Sequence, residues 1–341
     1  MSGFIDVHGH IVLEESMGAA GTACGPELGN YPDGTPFFRV GDWRLDGVPY
    51  KESLFMQAKL RLEAMDENGI SLQALSPNPL TYLHWIDEND ASNYCRTHNE
   101  AMASLVSEHK DRFLGFATLP MQNIGMAIQE LEYSVKELNL LGGYIGTDFG
   151  TDFDDPQMDD FYAACCEFNV PLFLHPAPSG LDGPLRDPRM RKYDLDLVIE
   201  FSYEELVATS MIIFGGVTRR FPNLDICISH GGGSTMLHRS KLRLLAERRP
   251  SSPEWIREPG EFDRELDRLW FDCHVSGREE FNFAISQLNT DRLVFGTNFG
   301  GWDSGAAHYP AEMIEKLNTN AKSLLRPVSY THLRAHETRT N

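Results

Sequence analysis

The sequence predicts an α/β fold, a single (β/α)8 TIM barrel, and three observations lead to this prediction. The chain has 341 residues, a length that one such barrel commonly reaches. Short β-branched or aromatic runs alternate with longer amphipathic segments along the chain. The alternation occurs eight times, and eight successive strand–helix units close into a parallel barrel.

The predicted elements follow this alternation in order. The strands are Phe4–Val7, Ser71–Leu75, Phe113–Thr118, Gly143–Gly146, Pro171–Leu174, Leu224–Ser229, Leu269–Cys273 and Arg292–Phe295. The helices lie around Leu54–Asn68, Ala91–His109, Met126–Leu138, Met158–Phe168, Leu195–Arg219, Met236–Glu247, Glu279–Leu288 and Ala311–Leu317. In such a barrel the carboxyl ends of all strands meet at one face, where functional sites form.

Three segments depart from the regular spacing. Ile11–Tyr50, rich in Gly and Pro, follows the first strand, and Ser179–Tyr193 follows the fifth. We expect both insertions to lie over the carboxyl-end face. Arg326–Asn341 is basic and has no apolar face, so we interpret it as a stray translated segment. The predicted organisation is a barrel over residues 1–325 and a non-native or disordered tail over 326–341.

Composition excludes several classes of partner. Thirty Lys and Arg residues stand against fifty Asp and Glu, a net charge of −20, which disfavours nucleic acid and anionic membranes. The N-terminus lacks the basic and apolar regions of a signal peptide, and no apolar run approaches the ~20 residues of a membrane span. The six cysteines form no CxxC pair. We expect a cytoplasmic protein with reduced thiols, and self-association as a homodimer stays open.

Histidines stand at the ends of three predicted strands. His8 and His10 are two residues apart in DVHGH, so both imidazoles can share one face of the first strand. Two loop histidines without a ligand are the alternative interpretation. His175 ends the fifth strand, and His230 ends the sixth before three glycines. Four histidines at one barrel mouth indicate a divalent metal, with zinc as first choice and iron or manganese as alternatives.

Several segments together resemble the amidohydrolase superfamily, in its branch similar to aminocarboxymuconate semialdehyde decarboxylase and the aromatic acid decarboxylases. The resemblance covers roughly residues 1–325 and rests on DVHGH, MDENGISLQALSPNP, FLHP, ISHGGG and LVFGTNFG. It implies that His8, His10 and His175 bind the metal. It also implies that His230 acts as a base or proton shuttle.

Asn298 departs from the pattern of that family, whose last strand normally ends in GTD or GSD with an aspartate that completes the metal site. We include Asn298 among the predicted ligands because its amide carbonyl can still bind a cation, although more weakly than carboxylate. Three explanations stay open. The chain is a natural variant with altered metal preference or chemistry, a deliberately weakened form, or an inactive homologue.

Four further residues are candidates for the substrate or a second metal. Arg39 resembles the arginine segment of the family, where a guanidinium meets a substrate carboxylate, and a surface ion pair is the alternative. His274 could face the mouth if Cys273 points outward, or it could be a core histidine. Trp302 could line an apolar pocket, and Asp148 has a loop or helix-cap role as its favoured interpretation.

The predicted function is that of a metal-dependent decarboxylase or hydrolase acting on a small carboxylated aromatic or ring-cleavage-type compound. In the decarboxylase, Arg39 holds a carboxylate and His230 handles the proton that replaces carbon dioxide. In the hydrolase, metal-bound water attacks with the help of His230. The sequence has no GxSxG motif, which disfavours a serine hydrolase. The alternatives are a non-haem iron oxygenase on the same barrel and a metal-binding pseudoenzyme.

Overall fold

A computed structural model describes residues 3–178, 181, 187–304 and 313–325. The strands in these ranges are β1 (Phe4–Ile11), β2 (Glu27–Asn30), β3 (Pro36–Val40), β4 (Trp43–Asp46), β5 (Ile70–Pro77), β6 (Phe113–Gly115), β7 (Gly143–Ile145), β8 (Leu172–Leu174), β9 (Ile226–Ile228), β10 (Trp270–Asp272) and β11 (Leu293–Val294).

The α-helices in the same ranges alternate with the strands from β5 onward. They are α1 (Gly21–Cys24), α2 (Ala58–Glu67), α3 (Glu88–Glu108), α4 (Ile124–Lys136), α5 (Asp159–Phe168), α6 (Ile199–Phe214), α7 (Val217–Arg220), α8 (Thr235–Arg248), α9 (Glu261–Leu266), α10 (Arg278–Gln287) and α11 (Ile314–Leu324). None of these helices is both long and apolar enough to cross a membrane.

Eight parallel strands form a ring. Hydrogen bonding orders them as β1-β5-β6 in one sheet and β7-β8-β9-β10-β11 in another. At one seam the Tyr144 amide donates to the Ala117 carbonyl (2.9 Å). At the other, the Val7 amide donates to the Phe295 carbonyl (2.9 Å) and the Phe299 amide donates to the His8 carbonyl (3.0 Å). The ring confirms the (β/α)8 prediction, and each predicted strand coincides with one of its members.

Successive side chains of a strand point to opposite faces of the sheet. Each strand therefore buries alternate side chains inside the ring and the others under the helices. Val7, Phe173 and Trp270 belong to the cluster inside the barrel. Cys273 belongs to the larger cluster between strands and helices, which is the outward orientation that places its neighbour His274 inward. The barrel is therefore a packed core, with its open site restricted to one end.

The segment Ile11–Tyr50 contains an antiparallel sheet that sequence analysis did not predict, β2-β3-β4. Phe38 and Tyr50 stack with ring centroids 4.7 Å apart. Both belong to a cluster with Leu83, which follows the carboxyl end of β5, and Tyr94 of α3. The insertion thus packs at the carboxyl end of β5, on the expected face.

Two helix predictions differ from the structure. The single helix expected over Leu195–Arg219 is divided into α6 and α7, because Gly216 adopts a left-handed φ of 70° between them. The last helix extends to Leu324, beyond its predicted end at Leu317. The tail 326–341 lies outside the described residues, as do most of residues 179–186.

Candidate metal centre and active site

Strand β1 turns its two histidines into the barrel through a bulge. Val7 faces the interior, so simple alternation would direct His8 outward. The register of β1 against β5 shifts between Asp6 and Gly9, and a bulge resets the side-chain phase. Gly9 faces outward, because a Cβ at this residue would collide with an outward-facing side chain of β5. Its two neighbours, His8 and His10, therefore face the inside of the barrel.

Three histidine nitrogens converge at the carboxyl end of the ring. The Nε2 atoms of His8 and His10 are 3.0 Å apart. The Nε2 atoms of His10 and His175, which follows β8, are 3.2 Å apart. All three side chains are buried, with at most 3% of each residue exposed. The structure therefore brings together the three histidines that were predicted as ligands.

The other ring nitrogen of each histidine determines which atom carries the proton. Nδ1 of His8 lies 2.7 Å from Asp272 Oδ2. Nδ1 of His10 lies 3.2 Å from the Pro77 carbonyl, and Nδ1 of His175 lies 2.6 Å from the carbonyl of the next residue. The carboxylate and the two carbonyls can only accept, and the Ser76 hydroxyl, 3.0 Å from His10 Nδ1, can accept as well. With each Nδ1 as the donor, each neutral imidazole keeps a lone pair on Nε2.

Burial keeps these imidazoles neutral at pH 7. It lowers the pKa of His8 to about 4, although the neighbouring Asp272 raises it in part. Burial and neighbouring histidines hold the pKa values of His10 and His175 well below the usual range. The centre thus presents three unprotonated nitrogens.

This donor set fits a divalent cation. Three lone pairs at such short separations repel each other unless a positive ion lies between them. Tetrahedral zinc with Zn–N bonds of ~2.0–2.1 Å would place its ligand nitrogens about 3.3 Å apart, close to the spacing found here. His8, His10 and His175 would hold the ion, with Asp272 orienting His8 as an outer partner.

His230 lies beside this group but has a different partner. Its ring centroid is 4.8 Å from that of His175 and 5.1 Å from that of His8. Its Nδ1 lies 2.6 Å from Glu205 Oε1 on α6, and that carboxylate is completely buried. The residue has a left-handed φ of 48°, and the three glycines after it also have positive φ.

The carboxylates around His230 favour its charged form. Burial alone would lower the pKa of His230, but Glu205, followed by Asp272 and Asp303, raises it more, to about 9. With Nδ1 engaged by Glu205, Nε2 is the atom that can donate a proton outside this pair. The surroundings therefore favour a protonated imidazole at His230 and neutral imidazoles at the three neighbouring histidines.

His274 and Asn298 are joined through a carboxylate that was not predicted. His274 Nε2 lies 2.9 Å from Asp303 Oδ2, and Asn298 Nδ2 donates to Asp303 Oδ1 at 2.8 Å. The His274 ring is 5.6 Å from the His230 ring and 6.0 Å from the His8 ring, measured between centroids. His274 therefore faces the mouth.

Arg39 has its donors engaged elsewhere. It lies on β3, and its Nε and Nη2 atoms bond Glu27 Oε2 at 2.8 and 2.7 Å. Its remaining hydrogens are donated to the backbone carbonyls of Thr22, Ala23 and Gly41. All five guanidinium hydrogens are used, so this conformation supports the ion-pair alternative and leaves none for a substrate carboxylate.

Trp302 and Asp148 remain outside the histidine group. Trp302 is 71% exposed and follows the last strand, next to Asp303. Asp148 accepts from the Gly150 amide at 3.2 Å, the loop role that was favoured for it. Their predicted roles toward a substrate or a second metal stay predictions.

Three acidic residues of this site were not among the predicted site residues. Asp272 precedes His274 by two residues, so the period of β10 contained a signal that both face inward. Glu205 lies within a helix whose distance from the sixth strand is not encoded in local spacing. Asp303 stands two residues after a pair of glycines, which signals a turn but not its direction.

The amidohydrolase family model matches residues 5–324, and the chain belongs to this family. It is 29% identical over 261 residues to 2-amino-3-carboxymuconate-6-semialdehyde decarboxylase of Dictyostelium discoideum, covering 75% of this chain and 70% of that protein. It is 25% identical to gamma-resorcylate decarboxylase of a Rhizobium species, covering 78% and 86%.

A solved structure with the same fold is dihydroxybenzoic acid decarboxylase from Polaromonas, with bound manganese and the inhibitor 2-nitroresorcinol. It superposes with a TM-score of 0.70 at 23% identity and covers 95% of this chain and 97% of that one. At this level of identity the likeness establishes the fold, and the predicted family and barrel are both confirmed.

Proposed function

We propose that this protein is a metal-dependent decarboxylase of a small carboxylated aromatic or ring-cleavage-type compound. The two relatives described above are named for decarboxylations of this kind. We propose one divalent cation held by His8, His10 and His175. Zinc is the first choice on its nitrogen ligands, and manganese, found in the Polaromonas structure, and iron are the alternatives.

The observation that carries the proposal is the contrast between His230 and the three neutral histidines. Loss of carbon dioxide leaves an electron pair on the substrate carbon, and a proton must arrive there. His230 is held in its charged form by Glu205 and has Nε2 available for donation. It lies within 5.1 Å of the His8 ring, measured between centroids, so donor and metal centre share one mouth.

The step balances with groups that the site contains. The bond between the ring carbon and the carboxyl carbon breaks, carbon dioxide leaves, and its bonding pair stays on the substrate. His230 Nε2 then delivers the proton to that carbon, and the neutral imidazole regains a proton from water. A bound divalent cation would orient and partly neutralise the substrate oxygens. Glu205 stabilises the imidazolium before transfer.

The competing functions have less support. The relatives described above include neither an oxygenase nor a protein without activity. The hydrolase version uses the same three ligands and His230, so it is separated by products rather than by geometry. The cytoplasmic location, suggested by six free thiols, and the homodimer remain predictions.

The deciding experiment is incubation of the metal-loaded protein with carboxylated catechols, resorcylates and carboxylated ring-cleavage products in heavy water. We expect release of carbon dioxide and one deuterium at the carbon that lost it, both detected by mass spectrometry. His230→Ala should suppress both. Addition of water to the substrate would instead establish a hydrolytic or hydrating enzyme, and no change with any compound would overturn the proposal.

A further inference from the structure

The chain folds back on itself directly after the last barrel strand. Two consecutive turns form: the Gly301 amide donates to the Asn298 carbonyl (2.8 Å), and the Ser304 amide donates to the Gly301 carbonyl (3.1 Å). Gly300 has φ 87°, and a Cβ on Gly301 would lie 2.8 Å from both Nδ2 and the carbonyl oxygen of Asn298. These two glycines allow the side chain of Asp303 to return onto Asn298.

The Asp303 carboxylate is held at both oxygens. Oδ1 accepts from Asn298 Nδ2 at 2.8 Å, and Oδ2 lies 2.9 Å from His274 Nε2. The side chain is 17% exposed. Both oxygens thus receive hydrogen bonds, and the carboxylate stands between Asn298 and His274.

This anion determines the orientation of the Asn298 amide. A carboxylate can only accept, so the NH2 group of Asn298 faces Asp303 and Oδ1 is the atom directed elsewhere. A hydrogen bond to an anion also polarises the amide and increases the negative charge on Oδ1. Asn298 therefore presents a better oxygen donor than an isolated amide does.

Asn298 is closely tied to the histidine group. The amide of the next residue, Phe299, donates to the His8 carbonyl (3.0 Å). Two residues earlier, a Cβ on Gly296 would lie 2.9 Å from the Cβ of His8. The strand end that carries Asn298 thus packs directly against a predicted metal ligand.

We propose that Asp303 is a positioning residue of the metal centre: it fixes the Asn298 amide with Oδ1 available to the cation and supplies, through that hydrogen bond, the negative charge that residue 298 lacks. The inference rests on the metal centre of the proposed function. It deepens that function by giving the asparagine at the strand end a defined role. Asn298 then contributes to the metal site through its amide oxygen. The negative charge that residue 298 lacks is on Asp303, five residues further along the chain.

The test moves the carboxylate between the two positions and measures zinc affinity by competition with a chromophoric chelator. Asp303→Asn should weaken zinc binding ~10–100-fold, the usual effect of losing an outer partner of a metal ligand. Asn298→Asp alone should not tighten binding, since it sets two carboxylates 2.8 Å apart. The double variant Asn298→Asp with Asp303→Asn should recover most of the affinity.

The control is Asp291→Asn, which removes a surface carboxylate near the opposite end of the same strand and should leave zinc affinity unchanged. Cobalt loading gives a second readout, because the visible spectrum should change in Asp303→Asn and shift back in the double variant. Thermal melts establish that each variant is folded. If Asp303→Asn fails to fold, the double variant is compared with Asn298→Asp alone, and tighter zinc binding in the double variant supports the inference.

Unchanged zinc affinity in Asp303→Asn, or a double variant that binds no better than its weaker parent, would overturn the inference. Its failure is distinguishable from failure of the proposed function. If the zinc results follow the expectation while no compound loses carbon dioxide, the positioning role stands and the decarboxylase proposal falls. If carbon dioxide is lost but Asp303→Asn does not change zinc affinity, the decarboxylase proposal stands and the positioning role falls.

Discussion

The two histidines of β1, the histidine after β8 and the histidine after β9 face the same mouth, yet they differ in charge. His8, His10 and His175 are buried, and their pKa values are lowered, so they are neutral. His230 is paired through Nδ1 with the buried Glu205, and its pKa is raised to about 9. His8 also contacts a carboxylate, Asp272, but burial outweighs that contact.

Residue type alone therefore does not define the role of a histidine in this barrel. The three neutral imidazoles direct lone pairs to one point and can bind a cation. His230 keeps a proton and can deliver it. The balance between desolvation and neighbouring carboxylates separates ligand from acid, and this separation can be tested by mutation and by pH.

The largest effect is expected from removing one of the neutral histidines. His8→Ala or His175→Ala should lose most of the bound metal and nearly all activity, because each removes one of three nitrogen ligands. Elemental analysis of purified protein measures the loss. His238→Ala, a histidine on α8, is the control. Full metal occupancy in either variant would show that the ligand set is wrong.

The next effect concerns the charged histidine. His230→Ala should keep its metal but lose turnover by ~10²–10⁴-fold, the usual contribution of a general acid or base. Steady-state kinetics combined with elemental analysis separates the two outcomes. Loss of metal together with activity would place His230 among the ligands and remove the contrast between the two sets.

A pH dependence should distinguish the sets in chelator-treated protein. The folded pKa of His230, about 9, exceeds its reference value of 6.5. The stability it contributes, about 3 kcal/mol, is fully present below pH 6.5 and is lost as the pH rises to 9. Glu205→Gln should abolish this pH-dependent loss of stability. The free energy of unfolding, measured with urea at pH values between 6.5 and 9, checks this. Glu200→Gln on the same helix should retain the loss, and identical slopes in both variants would contradict the pairing.

The smallest effect is expected from removing the tail that the sequence predicts to be non-native or disordered. Deleting residues 326–341 should change the free energy of unfolding by less than ~0.5 kcal/mol, the scale of surface changes away from packed features. Metal content and turnover should stay unchanged. A melt of the shortened chain that drops by several degrees would show that the tail belongs to the barrel.

Much of the ligand geometry could be predicted, and much of its surroundings could not. His8, His10 and His175 stand at strand ends in the sequence, and parallel strands bring such ends together. Arg39 shows the limit, because its hydrogens are donated to Glu27 and to backbone carbonyls of its own insertion. Local sequence does not reveal which partners a flexible side chain finds within a 40-residue insertion.

Hydrophobic periodicity is a local property of the chain, so the eight strands, their order along the chain and the histidines at their ends could be predicted from it. The direction in which those histidines face and the charge that they carry depend on contacts that form only when the chain folds. A bulge in β1 reverses the phase that Val7 would impose on His8. Glu205 and Asp303 reach His230 and His274 across elements distant in sequence, and burial and charge depend on such neighbours.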